Sequence, residues 1–224
     1  MQKALIYGAG QMARQIFAFW REHQDNQYEI LGFIDDSVEL AHNGNYTHFG
    51  GIEVLRTKYF GVPNNICVFL AIGYNDLARR LDRYQELSSL GYMSPNLIHP
   101  RTSIDTDVQL GSGNVLLAGV AIGTGVNIGN ANFFDAGVII SHDNSIGNGN
   151  FLCLQSGTGG FTTIGDSNFL GMQSGISDGC TVGNRNYISA KSFVYRNIES
   201  DLKFLSVFND RQFPMNPKLD PQNL

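Results

Sequence analysis

A histidine followed directly by a carboxylate, His142-Asp143 in the segment IISHDNSIG, is the pair in this sequence best suited to acid–base chemistry. Imidazole titrates near neutral pH, and a neighbouring carboxylate can fix its tautomer and stabilise its protonated form. From the residues alone, two interpretations stay open: a general base, or a hydrogen-bonded histidine at a turn. We interpret the remaining histidines as structural or solvent-facing: His23, His42, His48 and His99.

A second set of residues could hold a nucleotide. The segment Gly8-Ala9-Gly10-Gln11-Met12-Ala13 lies between a short apolar run and a stretch of helical periodicity. Small residues at this point let backbone N–H groups and a helix N-terminus approach an anion, although a plain strand-to-helix turn is the alternative. Asp35 and Asp36, at the end of the next predicted strand, could accept hydrogen bonds from a ribose or a base.

The part of the chain before Pro100 must position these residues. It alternates compact apolar runs with amphipathic stretches, which predicts an α/β domain over residues 1–100. Such a domain has room for about one mononucleotide-binding half, so the nucleotide part of an activated substrate is favoured over NAD. The predicted elements are strands at 3–7, 28–34 and 66–72, helices at 11–23 and 76–90, and a mobile loop at 37–50.

After Pro100 the sequence acquires a six-residue period. Every sixth residue from Ile104 to Val194 is apolar except Thr158. This period fits neither a helix nor a hairpin, and it predicts a solenoid with three short strands in each eighteen-residue coil. About five coils over residues 101–195 are expected, with Gly and Asn at the corners, and residues 196–224 form a capping tail or an arm. We interpret these asparagines as exposed corner and ladder residues: Asn114, Asn132, Asn144, Asn150, Asn168 and Asn186.

Composition excludes several classes of function. The 224 residues carry 15 Lys and Arg against 20 Asp and Glu, a formal charge of −5, with no basic run, which argues against nucleic-acid or membrane partners. Cys67, Cys153 and Cys180 lie far apart and are interpreted as buried small residues of a reducing compartment. The start, MQKALIYGAG, is neither a signal peptide nor a membrane span, so a cytoplasmic location is expected.

The order of these motifs resembles a known family. A Gly8-Ala9-Gly10 loop, Phe33-Ile34-Asp35-Asp36, Ala71-Ile72-Gly73-Tyr74-Asn75, Leu97-Ile98-His99-Pro100 and hexapeptide coils carrying His142-Asp143 are similar to the nucleotide-sugar acyltransferases of the sialic-acid O-acetyltransferase type. That group includes bacterial N-acetyltransferases of 4-amino-sugar nucleotides. The resemblance covers roughly residues 3–195. It implies a Rossmann-like half domain, a left-handed parallel β-helix, and a homotrimer with active sites between subunits.

The resemblance also implies a substrate set. Acetyl-CoA or another acyl-CoA would be the co-substrate, and a nucleotide-linked amino sugar of bacterial surface glycans, such as lipopolysaccharide O-antigen, would be the acceptor. His142 would act as general base and Asp143 would orient it, with neither an acyl-enzyme nor a metal. By the resemblance, the nucleotide would be held by Gly8, Gly10, Asp35, Asp36, Gly73 and Asn75, the sugar by Asp135, and the acyl-CoA by Phe151, Gly160, Met172 and Ala190.

Two of these positions have particular expectations. The backbone N–H of Gly160 is expected to stabilise the developing oxyanion. Phe151 stands where relatives often have a second histidine, nine residues after the first, which removes a possible contact to the thioester or the pantetheine arm.

Three alternatives to N-acylation remain open on the sequence. The same fold could acylate a sugar hydroxyl. The solenoid could instead be a non-catalytic scaffold that binds a nucleotide sugar. An NAD-dependent oxidoreductase would be supported by Gly8 and Gly10 alone.

Overall fold

The computed structural model describes residues 1–22, 27–37, 47–57 and 65–206. The N-terminal part contains a parallel sheet in the order β3-β2-β1-β4. Parallel neighbours need crossover connections, and α1 supplies the one between β1 and β2. The strands are β1 (Gln2–Tyr7), β2 (Tyr28–Ile34), β3 (Thr47–His48) and β4 (Ile66–Leu70), and the helices are α1 (Gln11–Glu22), α2 (Glu53–Arg56) and α3 (Leu77–Ser89).

Two strand predictions need correction. β3 lies within the predicted mobile loop, where it pairs with Gly32 and Phe33 of β2. A two-residue strand is too short to show a period, which is why the sequence did not predict it. β4 ends at Leu70 rather than at residue 72, because Leu70 pairs with Tyr7, the last residue of β1. His23, His42 and the loop residues 38–46 lie outside the described residues.

The remainder is a triangular prism of two-residue parallel strands, β5 to β22. The first face consists of β5 (Leu97–Ile98), β8 (Val115–Leu116), β11 (Phe133–Phe134), β14 (Phe151–Leu152), β17 (Phe169–Leu170), β20 (Tyr187–Ile188) and β22 (Lys203–Phe204). The second face consists of β6 (Ser103–Ile104), β9 (Ala121–Ile122), β12 (Ile139–Ile140), β15 (Gly157–Thr158), β18 (Gly175–Ile176) and β21 (Phe193–Val194). The third face consists of β7 (Gln109–Leu110), β10 (Asn127–Ile128), β13 (Ser145–Ile146), β16 (Thr163–Ile164) and β19 (Thr181–Val182).

The edges of the prism are its corners. The first corner, between the first and second faces, includes residues 135–137, 153–155, 171–173 and 189–191. The second corner, between the second and third faces, includes residues 141–143, 159–161 and 177–179. The third corner, which leads back to the first face, includes residues 111–113 and 129–131. The ladders run from β5 to β22 and therefore extend beyond both ends of the predicted repeat, 101–195. Residues 207–224 of the tail lie outside the described residues.

The interior of the prism explains the six-residue period. The second residue of each strand points inward, and from Leu116 to Val194 these side chains form one buried apolar cluster apart from Thr158. Burial of this continuous column is the main stabilising contribution of a solenoid. Thr158 is also buried, and its Oγ1 has no hydrogen-bond partner.

The asparagines of the repeat are not exposed as predicted. Asn114, Asn132, Asn150 and Asn168 are fully buried and lie one above another at eighteen-residue spacing. The Asn132 backbone N–H and Nδ2 both donate to Asn114 Oδ1, at 2.8 and 3.0 Å. Their amides satisfy backbone groups of turns that strand ladders do not reach, so burial costs little.

The first face packs against the N-terminal domain. Its outward residues Val115, Phe133, Phe151 and Phe169 share one apolar cluster with residues of the sheet such as Phe69. The ring centroids of Phe133 and Phe151 lie 4.6 Å apart, and those of Phe151 and Phe169 lie 6.0 Å apart. Burial of these rings in the shared cluster holds the N-terminal domain against the prism.

Cys67 and Cys180 are buried, as predicted, whereas Cys153 is only partly buried. Cys153 belongs to the first corner, beside an open cavity, and this position accounts for the difference. Within the described part of the chain, no helix is both long and apolar enough to cross a bilayer.

Candidate functional site

A cavity of about 710 Å³ lies between the C-terminal edge of the N-terminal sheet and the first corner of the prism. Parallel sheets commonly bind ligands at this edge. The cavity brings together these residues that the sequence analysis selected: Gly8, Gly10, Asp35, Gly73, Asn75, Asp135, Phe151 and Met172. The residues expected to hold a nucleotide and the one expected to hold a sugar therefore share one cavity.

The loop after β1 requires glycine at position 8. Gly8 has a φ of +110°, and a Cβ there would lie 2.6 Å from the carbonyl oxygen of Ala71. Gly10 has open space in front of it, at the start of α1. Asp35 shapes the loop, because its Oδ2 accepts a hydrogen bond from the Ala9 N–H at 2.7 Å. The first turn of α1 therefore faces the cavity, where N–H groups favour an anion.

Asp36 does not line the cavity. Its Oδ2 accepts hydrogen bonds from the Tyr7 hydroxyl at 2.6 Å and from Arg79 Nη2 at 2.9 Å, and its Oδ1 accepts one from the Ile52 N–H at 3.0 Å. Burial opposes ionisation, but the bonds from Tyr7, Ile52 and Arg79 lower the pKa of Asp36. Its carboxylate already accepts hydrogen bonds from the protein, so Asp36 supports the cavity wall from outside the cavity.

Tyr7 gives this network a measurable pH dependence. Burial, the hydrogen bond to Asp36 and the charge of Asp36 all raise the pKa of the phenol. The neutral phenol therefore contributes stability that is present below the unfolded pKa of about 10 and is lost as the pH rises above it, by at most about 1.4 kcal/mol per pH unit. We expect Tyr7→Phe to lose less free energy of unfolding between pH 8 and 11 than the wild type, measured by urea denaturation.

The matched control is Tyr195→Phe, because Tyr195 is exposed at the end of the prism. This variant should keep the alkaline loss of the wild type. An unchanged alkaline loss in Tyr7→Phe would contradict the assignment of that loss to the buried phenol.

Asp135 is the acidic residue of the first corner. Its Oδ1 accepts a hydrogen bond from the Ala136 N–H at 2.8 Å, and no described cation forms an ion pair with it. Burial raises the pKa of Asp135, and burial together with the charge of Asp135 raises the pKa of the Cys153 thiol to about 12. A partly desolvated carboxylate without a cation suits a ligand that supplies an ammonium or a hydroxyl group.

Several residues of this cavity were not predicted from the sequence. Tyr74 is half-exposed, and its ring centroid lies 5.3 Å from those of both Phe151 and Phe169. Phe151 therefore belongs to a ladder of outward-facing rings on the first face.

The sequence contains a signal for this ladder, because the outward residue of the first face recurs every eighteen positions and is apolar each time: Leu97, Val115, Phe133, Phe151, Phe169 and Tyr187. The other missed residues of the cavity wall include Gln11, Met12, Gln15, Arg79, Cys153 and Leu154.

His142 lies at the second corner. Its Nδ1 is 2.9 Å from Asp143 Oδ2, and the two side chains are 47% and 48% exposed. In the neutral tautomer that donates from Nδ1 to Asp143, Nε2 keeps its lone pair. The ring of Phe161 packs edge-on against the imidazole, with centroids 5.1 Å apart. Nε2 is then the ring nitrogen available as a proton acceptor, on a side chain that is about half-exposed.

Gly160 lies against the imidazole ring, but it does not have the expected oxyanion role. Its N–H donates to Asp178 Oδ1 at 2.8 Å, so the prediction of a free donor at this position is wrong for this structure. The reason is the corner geometry, in which a side chain one coil later accepts the N–H. What Gly160 provides is space, because a Cβ would lie 2.6 Å from Cε1 and 2.8 Å from Nε2 of His142.

This close approach makes a prediction for Gly160→Ala. The added methyl group should displace the imidazole without removing it, and misplacing a reacting group costs rate steeply. We expect kcat/KM of the reaction proposed below to fall by about tenfold, with unchanged affinity for a nucleoside diphosphate. Gly179→Ala is the control, because a Cβ there meets nothing within 4 Å, although its φ of +67° adds some strain. A wild-type rate for Gly160→Ala would contradict the steric role of Gly160.

Three of the four predicted acyl-CoA residues are divided between two corners, and the fourth, Phe151, lies on the first face. Met172 and Ala190 belong to the first corner, where the Lys191 N–H donates to the Met172 carbonyl at 2.8 Å, and Gly160 belongs to the second. Between them the second face has a depression of about 280 Å³. Gly157 and Gly175 form its floor, and the exposed side chains of Ile139 and Phe193 stand at its two ends.

His142 is not among the residues that line the 710 Å³ cavity. Asp135 and His142 lie at opposite edges of the second face, Asp135 on the first corner and His142 on the second. Within a single chain the histidine is therefore separate from the cavity. In the described ranges, no group of three His, Cys, Asp or Glu side chains is placed to hold a metal ion.

Comparison with known proteins gives three kinds of result. Residues 3–85 match the family model described as the PglD N-terminal domain. No curated protein matches the chain. PerB from Caulobacter crescentus, solved in complex with CoA and GDP-perosamine, is 25% identical, with a TM-score of 0.77 over 90% of this chain and 93% of that one.

Two further solved structures share the fold. The acetyltransferase domain of PglB from Neisseria gonorrhoeae is 20% identical, with a TM-score of 0.76 over 89% of this chain and 94% of that one. WeeI from Acinetobacter baumannii is 17% identical, with a TM-score of 0.74 over 90% and 95% of the two chains. These matches confirm the resemblance stated from the sequence and the predicted fold class, a Rossmann-like half domain followed by a left-handed parallel β-helix.

Proposed function

Because the chain joins a PglD-type N-terminal domain to a left-handed β-helix, we propose that it is an acyl-CoA-dependent N-acyltransferase that acts on a nucleotide-linked amino sugar. The acyl group is acetyl, and the product serves bacterial surface glycan synthesis in the cytoplasm. PerB, which has the same architecture, was solved with CoA and a nucleotide-linked amino sugar.

The observation that carries the proposal is the composition of the 710 Å³ cavity. The glycine loop and the start of α1 line it on one side, where they suit a phosphate group. Asp135 lines it on the prism side, where a carboxylate that pairs with no cation of the described residues suits an amine. A nucleotide-linked amino sugar is a molecule with these two ends.

The location of His142 supports a site shared between subunits. The cavity is bounded by the first corner of a chain, whereas His142 is on the second corner. In a homotrimer of prisms the first corner of one chain lies beside the second corner of its neighbour, so the sugar held by one subunit meets His142 of the next. The depression of the second face, with its floor at Gly157 and Gly175, then holds the pantetheine arm of acyl-CoA.

The chemistry follows from the geometry of His142. Nε2 accepts a proton from the amine, directly or through water, and the amine attacks the thioester carbonyl. The C–N bond forms, the C–S bond breaks, and the CoA thiolate takes up a proton. Asp143 keeps the imidazole oriented through Nδ1 and stabilises the imidazolium that forms. Gly160 supplies the space in which the imidazole lies.

The test is a thiol-release assay with acetyl-CoA and a panel of UDP-, dTDP- and GDP-linked amino sugars. Release with one of them, and an amide product by mass spectrometry, is the expected result. An ester product would favour the hydroxyl alternative. Absence of release from a protein that still binds the nucleotide sugar would favour the scaffold, and binding of NAD(H) in a titration would favour an oxidoreductase.

A further inference from the structure

Arg79 is the one cationic side chain among the described residues that line the 710 Å³ cavity. It lies on α3, and its side chain is 44% exposed. The acidic residues of the same cavity are Asp35, Asp76 and Asp135. The three carboxylates repel an anionic ligand, whereas Arg79 and the N-terminus of α1 attract one.

Two of these three acidic residues already accept hydrogen bonds from backbone N–H groups. Asp35 accepts from the N–H groups of Ala9 and Ser37, and Asp76 accepts from the Arg79 N–H at the start of α3. Asp135 stands at the prism side of the cavity. The charge of the cavity is thus divided, with the cation toward α3 and an acid without a cation toward the prism.

The guanidinium of Arg79 forms an ion pair with Asp36. Its Nη2 donates to Asp36 Oδ2 at 2.9 Å, which uses one of its five N–H donors. Asp36 does not depend on this bond, because the Tyr7 hydroxyl donates to the same oxygen at 2.6 Å, Arg83 Nη2 lies 3.4 Å from it, and the Ile52 N–H donates to Oδ1 at 3.0 Å. Arg79 can leave Asp36 without leaving a buried carboxylate unpaired.

From this arrangement we propose that Arg79 binds the diphosphate of the nucleotide sugar, moving from Asp36 to the phosphate oxygens when the substrate enters. The inference rests on the proposed function and adds the residue that selects a charged nucleotide. A guanidinium can bind a phosphate through two parallel N–H bonds. With the diphosphate at Arg79, the amino sugar points toward Asp135. The contact of Arg79 with the diphosphate therefore selects a charged nucleotide and also orients the substrate in the cavity.

Arg83 provides a matched control. It also pairs with Asp36, at 3.4 Å, and it is on the same helix, but it does not line the cavity. The charge change of Arg83→Gln is the same as that of Arg79→Gln. The two variants therefore separate binding of the ligand from support of Asp36.

The experiment measures Kd by calorimetry for UDP, dTDP and GDP, and for uridine, thymidine and guanosine. For the diphosphate that binds best, Arg79→Gln should weaken binding by about 10- to 30-fold, while Arg83→Gln changes it by less than about threefold. Neither substitution should change nucleoside binding, and Arg79→Lys should recover part of the loss. Melting temperatures near that of the wild type verify the fold of each variant.

Several outcomes overturn the inference. Unchanged diphosphate binding in Arg79→Gln would do so, and so would equal losses in Arg79→Gln and Arg83→Gln, which would assign the effect to Asp36. If the wild type binds none of the diphosphates, both this inference and the nucleotide site of the proposed function are wrong. If it binds them but releases no thiol with any amino sugar, the proposed function fails and the role of Arg79 stands.

Discussion

Replacing His142 with alanine should lower kcat/KM for thiol release by about 10² to 10⁴, the range lost with a general base. The imidazole has its Nδ1 hydrogen-bonded to Asp143, so Nε2 is the ring nitrogen left to accept the proton of the amine. The measurement is steady-state thiol release with acetyl-CoA and the accepted nucleotide sugar.

Binding should respond differently from rate in this variant. His142 is outside the nucleotide cavity of its own chain, so the Kd of the nucleoside diphosphate should stay within about twofold of the wild type. Asn127→Ala is the control, because Asn127 is an exposed polar residue of the third face. It should leave both rate and binding unchanged. A wild-type rate in His142→Ala would favour the non-catalytic scaffold.

The second large effect is expected at Arg80, which is completely buried between α3 and the prism. Its Nε donates to the carbonyl of Ala131 at 2.6 Å and its Nη1 to the carbonyl of Ile72 at 2.7 Å, while Nη2 has no partner. Burial lowers the pKa of the guanidinium to about 10. Arg80 therefore ties the loop after β4, which lines the cavity, to the third corner of the prism.

Arg80→Met should reduce the free energy of unfolding by about 2 to 4 kcal/mol. The variant leaves two buried carbonyl groups without donors, at about 1–3 kcal/mol each, and removal of an unpaired buried charge offsets part of this cost. Urea denaturation at pH 7 measures the change. The same variant should weaken nucleotide binding, because Ile72 and Gly73 lose their anchor.

Arg14→Met is the control for Arg80, since Arg14 is an exposed residue of α1. It should remain within about 0.5 kcal/mol of the wild type. If Arg80→Met is as stable as the wild type, the buried guanidinium does not contribute to the junction between the sheet and the prism.

The features that repeat along the chain, or that follow from local backbone preference, were predictable from the sequence. The six-residue period predicted the prism and its inward side chains, because every coil must place an apolar residue at the same depth. The Gly8-Ala9-Gly10 segment predicted the loop after β1, where Gly8 has a φ that other residues disfavour. The pairing of His142 with Asp143 was also visible, since adjacent residues at a turn can contact each other without any long-range packing.

Packing in the folded chain determines which of two adjacent residues reaches the cavity. Asp35 lines the cavity while Asp36 turns away to Tyr7, and Arg79 lines the wall while Arg80 is buried beneath it. The Gly160 N–H was lost as an oxyanion donor because Asp178, eighteen residues later, lies directly above it. These outcomes depend on packing between residues distant in sequence, and neither composition nor periodicity specifies the directions of two adjacent side chains relative to a cavity built from both parts of the chain.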